Sequence, residues 1–143
     1  MTEYCRNRYY YSMKTLIITN NPKVSIDFSN TENVELHEDL AQDEILKLAR
    51  DHIHVGARLI MHPMMGRIKP HETPYKSVYM EVPEEGRHMD LHMDSLIIIE
   101  DSIAETQKYL DNTYMKKYDD QLLPDLQFID ALLLRSGIEE YRR

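Results

Sequence analysis

The sequence predicts an α/β fold: one small domain with a short, mostly parallel sheet, flanking helices and a C-terminal pair of helices. Three observations carry this expectation. Thr15–Thr19 and the stretch 58–62 are short, nearly continuous apolar and β-branched runs, the composition of strands buried on both faces. Between and after these runs, apolar residues return at helical spacing. At 143 residues the chain has the length of one domain, enough to bury roughly two-thirds of its unfolded surface.

Taken in order, residues 1–12 carry Arg6, Arg8 and a tyrosine cluster instead of an apolar core, so they read as an extension and not as a secretory signal. The domain is expected over 13–143. Its first strand ends at Asn20-Asn21-Pro22, a turn sequence. Val24, Ile26 and Phe28 alternate with polar residues and predict a short extended piece, and Val34-Glu35-Leu36 a brief strand. Asp39 is placed to cap a helix, Asp43 and Glu44 suit its positive end, and Leu46, Ala49 and Ile53 share its face until Gly56. Residues 58–62 follow as a strand that Pro63 closes. Val78, Met80 and Val82 alternate with Ser77, Tyr79 and Glu81, a half-buried strand turning near 83–86. Asp94 or Ser95 caps a helix with Leu96, Ile99, Ile103 and Leu110 on one face; Pro124 opens a second with Leu126, Ile129 and Leu133.

Composition narrows the function classes. A formal charge of −8 disfavours nonspecific binding to nucleic acid or anionic membrane, since both need basic surfaces. The expected partners are small molecules or proteins. Cys5 is the single cysteine, which leaves no disulfide pair and fits a cytoplasmic setting. No run approaches the roughly 18 apolar residues of a membrane span.

One stretch breaks the acidic pattern. From Val24 to Leu46 there are seven acids and no base, and from Val78 to Gln107 eight acids against Arg87 alone. Between them, residues 62–77 (HPMMGRIKPHETPYKS) carry Arg67, Lys69 and Lys76 against Glu72. Pro63, Pro70 and Pro74 stiffen this loop, which lowers the entropy lost on clamping a ligand, and Gly66 allows close backbone approach. Arg67 suits a bidentate grip on a carboxylate or phosphate, Lys69 and Lys76 supply point charges, and Thr73, Tyr75 and Ser77 can orient neutral oxygens. His62 is placed as an acid or base, or as a strand-end hydrogen-bonding group. In a parallel sheet Asn20 and Asn21 would meet this loop outside the strand ends. A solvated surface loop explains the same residues without a ligand.

Other patterns carry less. His88, Asp90, His92 and Asp94 alternate like metal ligands on a strand, but they also read as a strand edge and helix cap, so no metal or cofactor is expected. His52 and His54, two apart on a helix, diverge. Glu72 pairs naturally with Lys69 or His71. The Gly-rich phosphate loop, the serine elbow and the zinc helix motif are all missing from the sequence.

Residues 16–22 (LIITNNP), His62-Pro63, Gly66, Lys69-Pro70 with 72–77 (ETPYKS), and 94–96 with 99–103 (DSL, IEDSI) together resemble the GrdX family from about Lys14 to Leu133. These are small accessory proteins encoded beside glycine reductase in anaerobic bacteria that ferment amino acids. Met64, Met65 and His71 depart from the family pattern. The resemblance implies no catalytic residues, because the family has no established activity. It leaves three expectations. The first is a binding module whose 62–77 loop holds a small carboxylate or phosphate, with glycine and acetyl phosphate as candidates suggested by the genomic setting. The second is an assembly or maturation partner of glycine reductase. The third is an enzyme using His62.

Overall fold

The computed structural model describes residues 13–66, 68–84, 90–111 and 118–143, so the extension 1–12 and Arg67 lie outside the described residues. Strand β1 (Met13–Thr19) leads into helix α1 (Pro22–Phe28), then β2 (Val34–Leu36) and helix α2 (Gln42–His54). Strands β3 (Arg58–Leu59) and β4 (Ser77–Pro83), helix α3 (Met93–Asp111), a single 3-10 turn and helix α4 (Leu123–Tyr141) complete the order.

The sheet order is β2-β1-β4-β3. β1 pairs parallel with β2, Ile17 opposite Val34, and antiparallel with β4 along its whole length, from Met13 opposite Pro83 to Thr19 opposite Ser77. β3 is also antiparallel to β4. The sheet is therefore mixed and not mostly parallel. The reason lies in the connections: a parallel neighbour needs a crossover, which α1 provides between β1 and β2, whereas 60–76 returns to β4 without a helix.

The extended piece expected at 24–28 is a helix. Asn21 Oδ1 accepts from the Lys23 amide at 3.0 Å and Pro22 sits in the first turn, an N-terminal start that the turn sequence already contained. Val24 and Phe28 are four apart and buried together, while Ile26 is 78% exposed, so the period-2 reading mistook one helical face for a strand. Helix α2 begins later than Asp39 suggests: Ala41 occupies the cap position, and its amide donates to Glu44 Oε1 at 3.3 Å. β3 is shorter than 58–62, although the Ile60 amide still bonds the Tyr79 carbonyl at 3.0 Å.

The sheet is covered on both faces. Ile18, Val78, Met80 and Val82 pack with Ile45, Leu46, Ala49 and Ile53 of α2 and Ile99 and Ile103 of α3. Ile17 and Tyr79 point the other way, among Val24, Phe28, Ala131, Leu134 and Ile138. β4 is thus buried on both sides, not half-buried, and the two C-terminal helices lie on opposite faces of the sheet. Small residues explain the shifted face of α4: Ala131 and Gly137 are buried while Ile129 is exposed. Leu110 likewise emerges at the end of α3.

Tyr79 places a hydroxyl inside the second layer, donating to Glu32 Oε1 at 2.8 Å, and Arg142 pairs with the other carboxylate oxygen. Burial first, then the bond to Glu32, pushes the phenol well above its ordinary range. This ties the C-terminal end of α4 to the sheet.

Candidate functional site

The site begins where β1 stops. Asn20 and Asn21 are both buried, and a buried amide must spend its hydrogen bonds inside the protein. Asn20 Nδ2 donates to the Leu40 and Pro74 carbonyls, each at 2.9 Å, and its Oδ1 accepts from the Lys76 amide at 2.9 Å. Asn21 Nδ2 donates to the Gln127 carbonyl at 3.0 Å and to Asp130 Oδ2 at 2.9 Å. The two amides therefore join the β1 turn, the 70–76 loop and α4. Turn and loop meet, but not through the parallel strands expected to bring them together: the antiparallel register that sets Thr19 opposite Ser77 does so.

Asp130 is the hub of this junction. Its Oδ2 accepts from Asn21 and from Ser77 Oγ at 2.7 Å, and the Ser77 hydroxyl lies 2.7 Å from Thr19 Oγ1. Lys76 Nζ donates to the Pro63 carbonyl at 2.7 Å and approaches Met64 Sδ at 3.8 Å. The fields of Asp130 and Glu105 reach it through space, and among the described residues it forms no ion pair. Burial, the largest influence, pushes Lys76 below the ordinary lysine value of 10.5 against those two fields. Burial also pushes Asp130 above the ordinary aspartate range, opposed by the bonds from Asn21 and Ser77 and then by Lys76.

Lys76, Ser77 and Asp130 line a crevice of about 40 Å³ whose other walls include Met61, His62 and Leu133. On this measure a cavity needs roughly 10–15 Å³ to hold one water, so this space takes a small head group and not the body of a larger ligand. His62 is exposed at its edge, where Nδ1 accepts from the Met64 amide at 3.1 Å. Gly66 adopts a φ of +101°, and a Cβ there would lie 2.9 Å from Leu133 Cδ1, so the loop lies against α4 at a position only glycine fits easily.

A second, larger space opens on the other flank of the loop. It measures about 570 Å³ and is walled by Pro70, Thr73 and Tyr75 of the loop, Gln42 of α2, Tyr109 of α3 and Leu123 of α4. Glu38, Asp39 and Asp120 also line it. Gln42 Nε2 holds the loop by donating to the Pro70 carbonyl at 2.8 Å and to that of Thr73. Thr73 Oγ1 accepts from the Tyr75 amide, and Tyr75 Oη accepts from Gln127 Nε2 at 2.8 Å.

The sequence-predicted set is thus divided. Asn20, Asn21, Thr73 and Ser77 hold the scaffold. His62 and Lys76 line the crevice, and Gly66 packs on Leu133 beside it. Tyr75 faces the larger space. Lys69 is exposed, its amide capped by Glu72 Oε1 at 2.9 Å, so Lys69 and Lys76 do not converge on one pocket. Asp130, Gln42 and Gln127 escaped the sequence reading: each sits on a helix far along the chain, and nothing local distinguishes it from a solvated polar residue. Of the alternating His/Asp run, His88 lies outside the described residues, while His92 Nδ1 is 2.7 Å from Ser95 Oγ at the start of α3, a capping contact.

A family model for the GrdX-like protein matches residues 16–139. The chain belongs to the GrdX family. The match contains the β1 turn, the proline-rich loop and Asp130, so every residue of the junction falls within the family region. No curated protein and no solved structure matches the chain. Among the described residues no helix is long and apolar enough to cross a membrane.

Proposed function

We propose that this GrdX-family protein is a binding module for a small anion, a carboxylate or phosphate group seated against Lys76 in the crevice beside His62. The observation that carries this reading is the Lys76 ammonium: it is held by a carbonyl and a thioether, has no carboxylate in contact among the described residues, and faces a space of head-group size. A desolvated ammonium with a spare donor gains far more from an anion than a solvated one does. The body of the ligand would extend past His62 to solvent. Glycine and acetyl phosphate, suggested by the genomic setting of the family, both carry such a group.

Thermal shift with acetate, phosphate and acetyl phosphate tests the proposal. A ligand at 100 times its Kd should stabilise the fold by about 2.7 kcal/mol. Lys76→Met should abolish the shift, whereas Lys69→Ala, which removes an exposed charge, should change the affinity only a few-fold. Retention of the shift in Lys76→Met would overturn the reading.

A second reading, a docking partner of a glycine reductase component, is favoured by the exposed apolar residues of α4. Phe128 is 55% and Leu132 50% exposed, and their i, i+4 spacing puts them on one face. Co-purification with the reductase components that Phe128→Glu and Leu132→Glu each abolish, without loss of stability, is the expected result. Unchanged co-purification would count against this face.

A further inference from the structure

We infer that Lys76 is a nucleophile as well as an anion seat, and that its amine captures a small α-oxo acid as an imine. The inference deepens the anion reading above and rests on it: the carboxylate of such an acid is the anion, and its carbonyl carbon is the electrophile.

The surroundings of the amine come first. An ammonium has three N–H donors and no acceptor. Lys76 Nζ spends one donor on the Pro63 carbonyl at 2.7 Å and otherwise approaches the Met64 sulfur at 3.8 Å, a weak acceptor that also takes the Thr106 hydroxyl at 3.6 Å. Among the described residues no carboxylate contacts it, and Asp130 of α4 and Glu105 of α3 act on it only through space. Met61, Pro63, Leu133 and Leu134 make the crevice wall largely apolar. One strong acceptor for three donors is a poor match to the charged form and a better one to a neutral amine, which keeps a lone pair for attack. Burial moves Lys76 the same way, below the ordinary lysine value. Lys69 of the same loop is exposed and has no such seat.

The capture balances without an oxidant or reductant. The carboxylate pairs with the ammonium on entry, and loss of one proton to water at the crevice mouth frees the nitrogen lone pair. That pair forms the C–N bond while the carbonyl π pair moves to oxygen, which takes up the proton the nitrogen releases. The carbinolamine then expels its hydroxyl with the second amine proton as water, and the C=N bond forms. His62 Nδ1 already accepts from the Met64 amide, so in the neutral ring Nε2 carries the proton and is the donor at the edge for the departing hydroxyl. A crevice of about 40 Å³ admits only the smallest acids of this class.

The test incubates the full chain near neutral pH with glyoxylate, the smallest α-oxo acid, and sodium cyanoborohydride, which fixes each captured molecule as a carboxymethyl group. Peptide mapping by mass spectrometry reads the rate at every lysine of the unaltered protein, so no variant has to fold. Lys76 should be labelled at least about tenfold faster than Lys69, Lys23 or Lys47, and inorganic phosphate should slow Lys76 while leaving Lys69 unchanged. Propanal, a carbonyl without a carboxylate, should show no preference for Lys76. A thermal shift with phosphate but no preferential labelling would overturn the capture and leave the anion reading standing, and absence of the shift would overturn both. Equal preference for Lys76 with propanal and glyoxylate would overturn the α-oxo acid as the substrate class.

Discussion

Replacing Asp130 with alanine is expected to lower the stability by about 3 kcal/mol, read by urea unfolding, because the carboxylate is the common acceptor of a buried junction. Its Oδ2 takes both the Asn21 amide and the Ser77 hydroxyl, and its field compensates the Lys76 ammonium. The alanine variant leaves two donors without that acceptor and a desolvated cation without its counter-charge. Asp130→Asn separates these effects. Both donors meet one oxygen, which an asparagine carbonyl can replace, so about 1 kcal/mol of loss is expected. The comparison also predicts a pH dependence. A carboxyl whose folded pKa is raised binds its proton more tightly in the native state, so its contribution is full below the ordinary value of 3.8 and is lost as pH rises through the folded value. Wild type should therefore gain stability relative to Asp130→Asn as pH falls through that window. Lys76, shifted downward from 10.5, works at the other end: stability rises with pH between its folded value and 10.5, and Lys76→Met should remove that rise. Identical pH profiles for the three proteins would mean that the junction is not desolvated as the geometry implies.

Gly137→Val is expected to destabilise by about 2 kcal/mol, the cost of overpacking a filled interior. Gly137 is buried in α4, and a Cβ there would lie 1.9 Å from Met61 Sδ, 2.5 Å from its Cε and 2.6 Å from its Cγ. The whole outer half of Met61 has to move. Loss of helical glycine offsets part of this cost, since a glycine is about 1 kcal/mol less favourable than alanine in a helix. Met61 also lines the crevice beside Lys76, so its displacement should weaken anion binding together with stability. The double variant Gly137→Val/Met61→Ala identifies the contact: shortening the methionine makes room, and a coupling of at least about 1 kcal/mol is expected in the cycle. Additive losses would show that the helix face, and not Met61, resists the substitution.

The elements that were legible in advance are those whose signals are local. β1 needed only its apolar run and the Asn-Asn-Pro stop; α2 announced itself by acids in the first turn and a spaced apolar face. Helix α1 was misread because Val24 and Phe28, four apart, satisfy both periods, and only the exposure of Ile26 between them decides for the helix. The face of α4 was missed because alanine and glycine give no hydrophobic signal, although they are what lets Met61 approach.

The candidate site divides along the same line. Its loop stood out because prolines, glycine and positive charge are concentrated in one run, a contrast visible without coordinates. Which of those charges is withdrawn from water was not visible: Lys69 and Lys76 are the same residue type in the same loop, yet one is exposed and the other meets the Pro63 carbonyl at the loop's start.

By itself the sequence determined the α/β class, the place of the proline-rich basic loop and the family. These follow from periodicity, turn chemistry and a contiguous motif, all short-range along the chain. Strand direction, the pairing of Asn20 and Asn21 with residues more than fifty positions away and the choice of Asp130 as hub were decided only by the tertiary structure. The physical reason is that burial and hydrogen-bond satisfaction belong to the whole packed arrangement: an amide or a lysine acquires its role from what surrounds it in space, and that surrounding is supplied by helices distant in the chain.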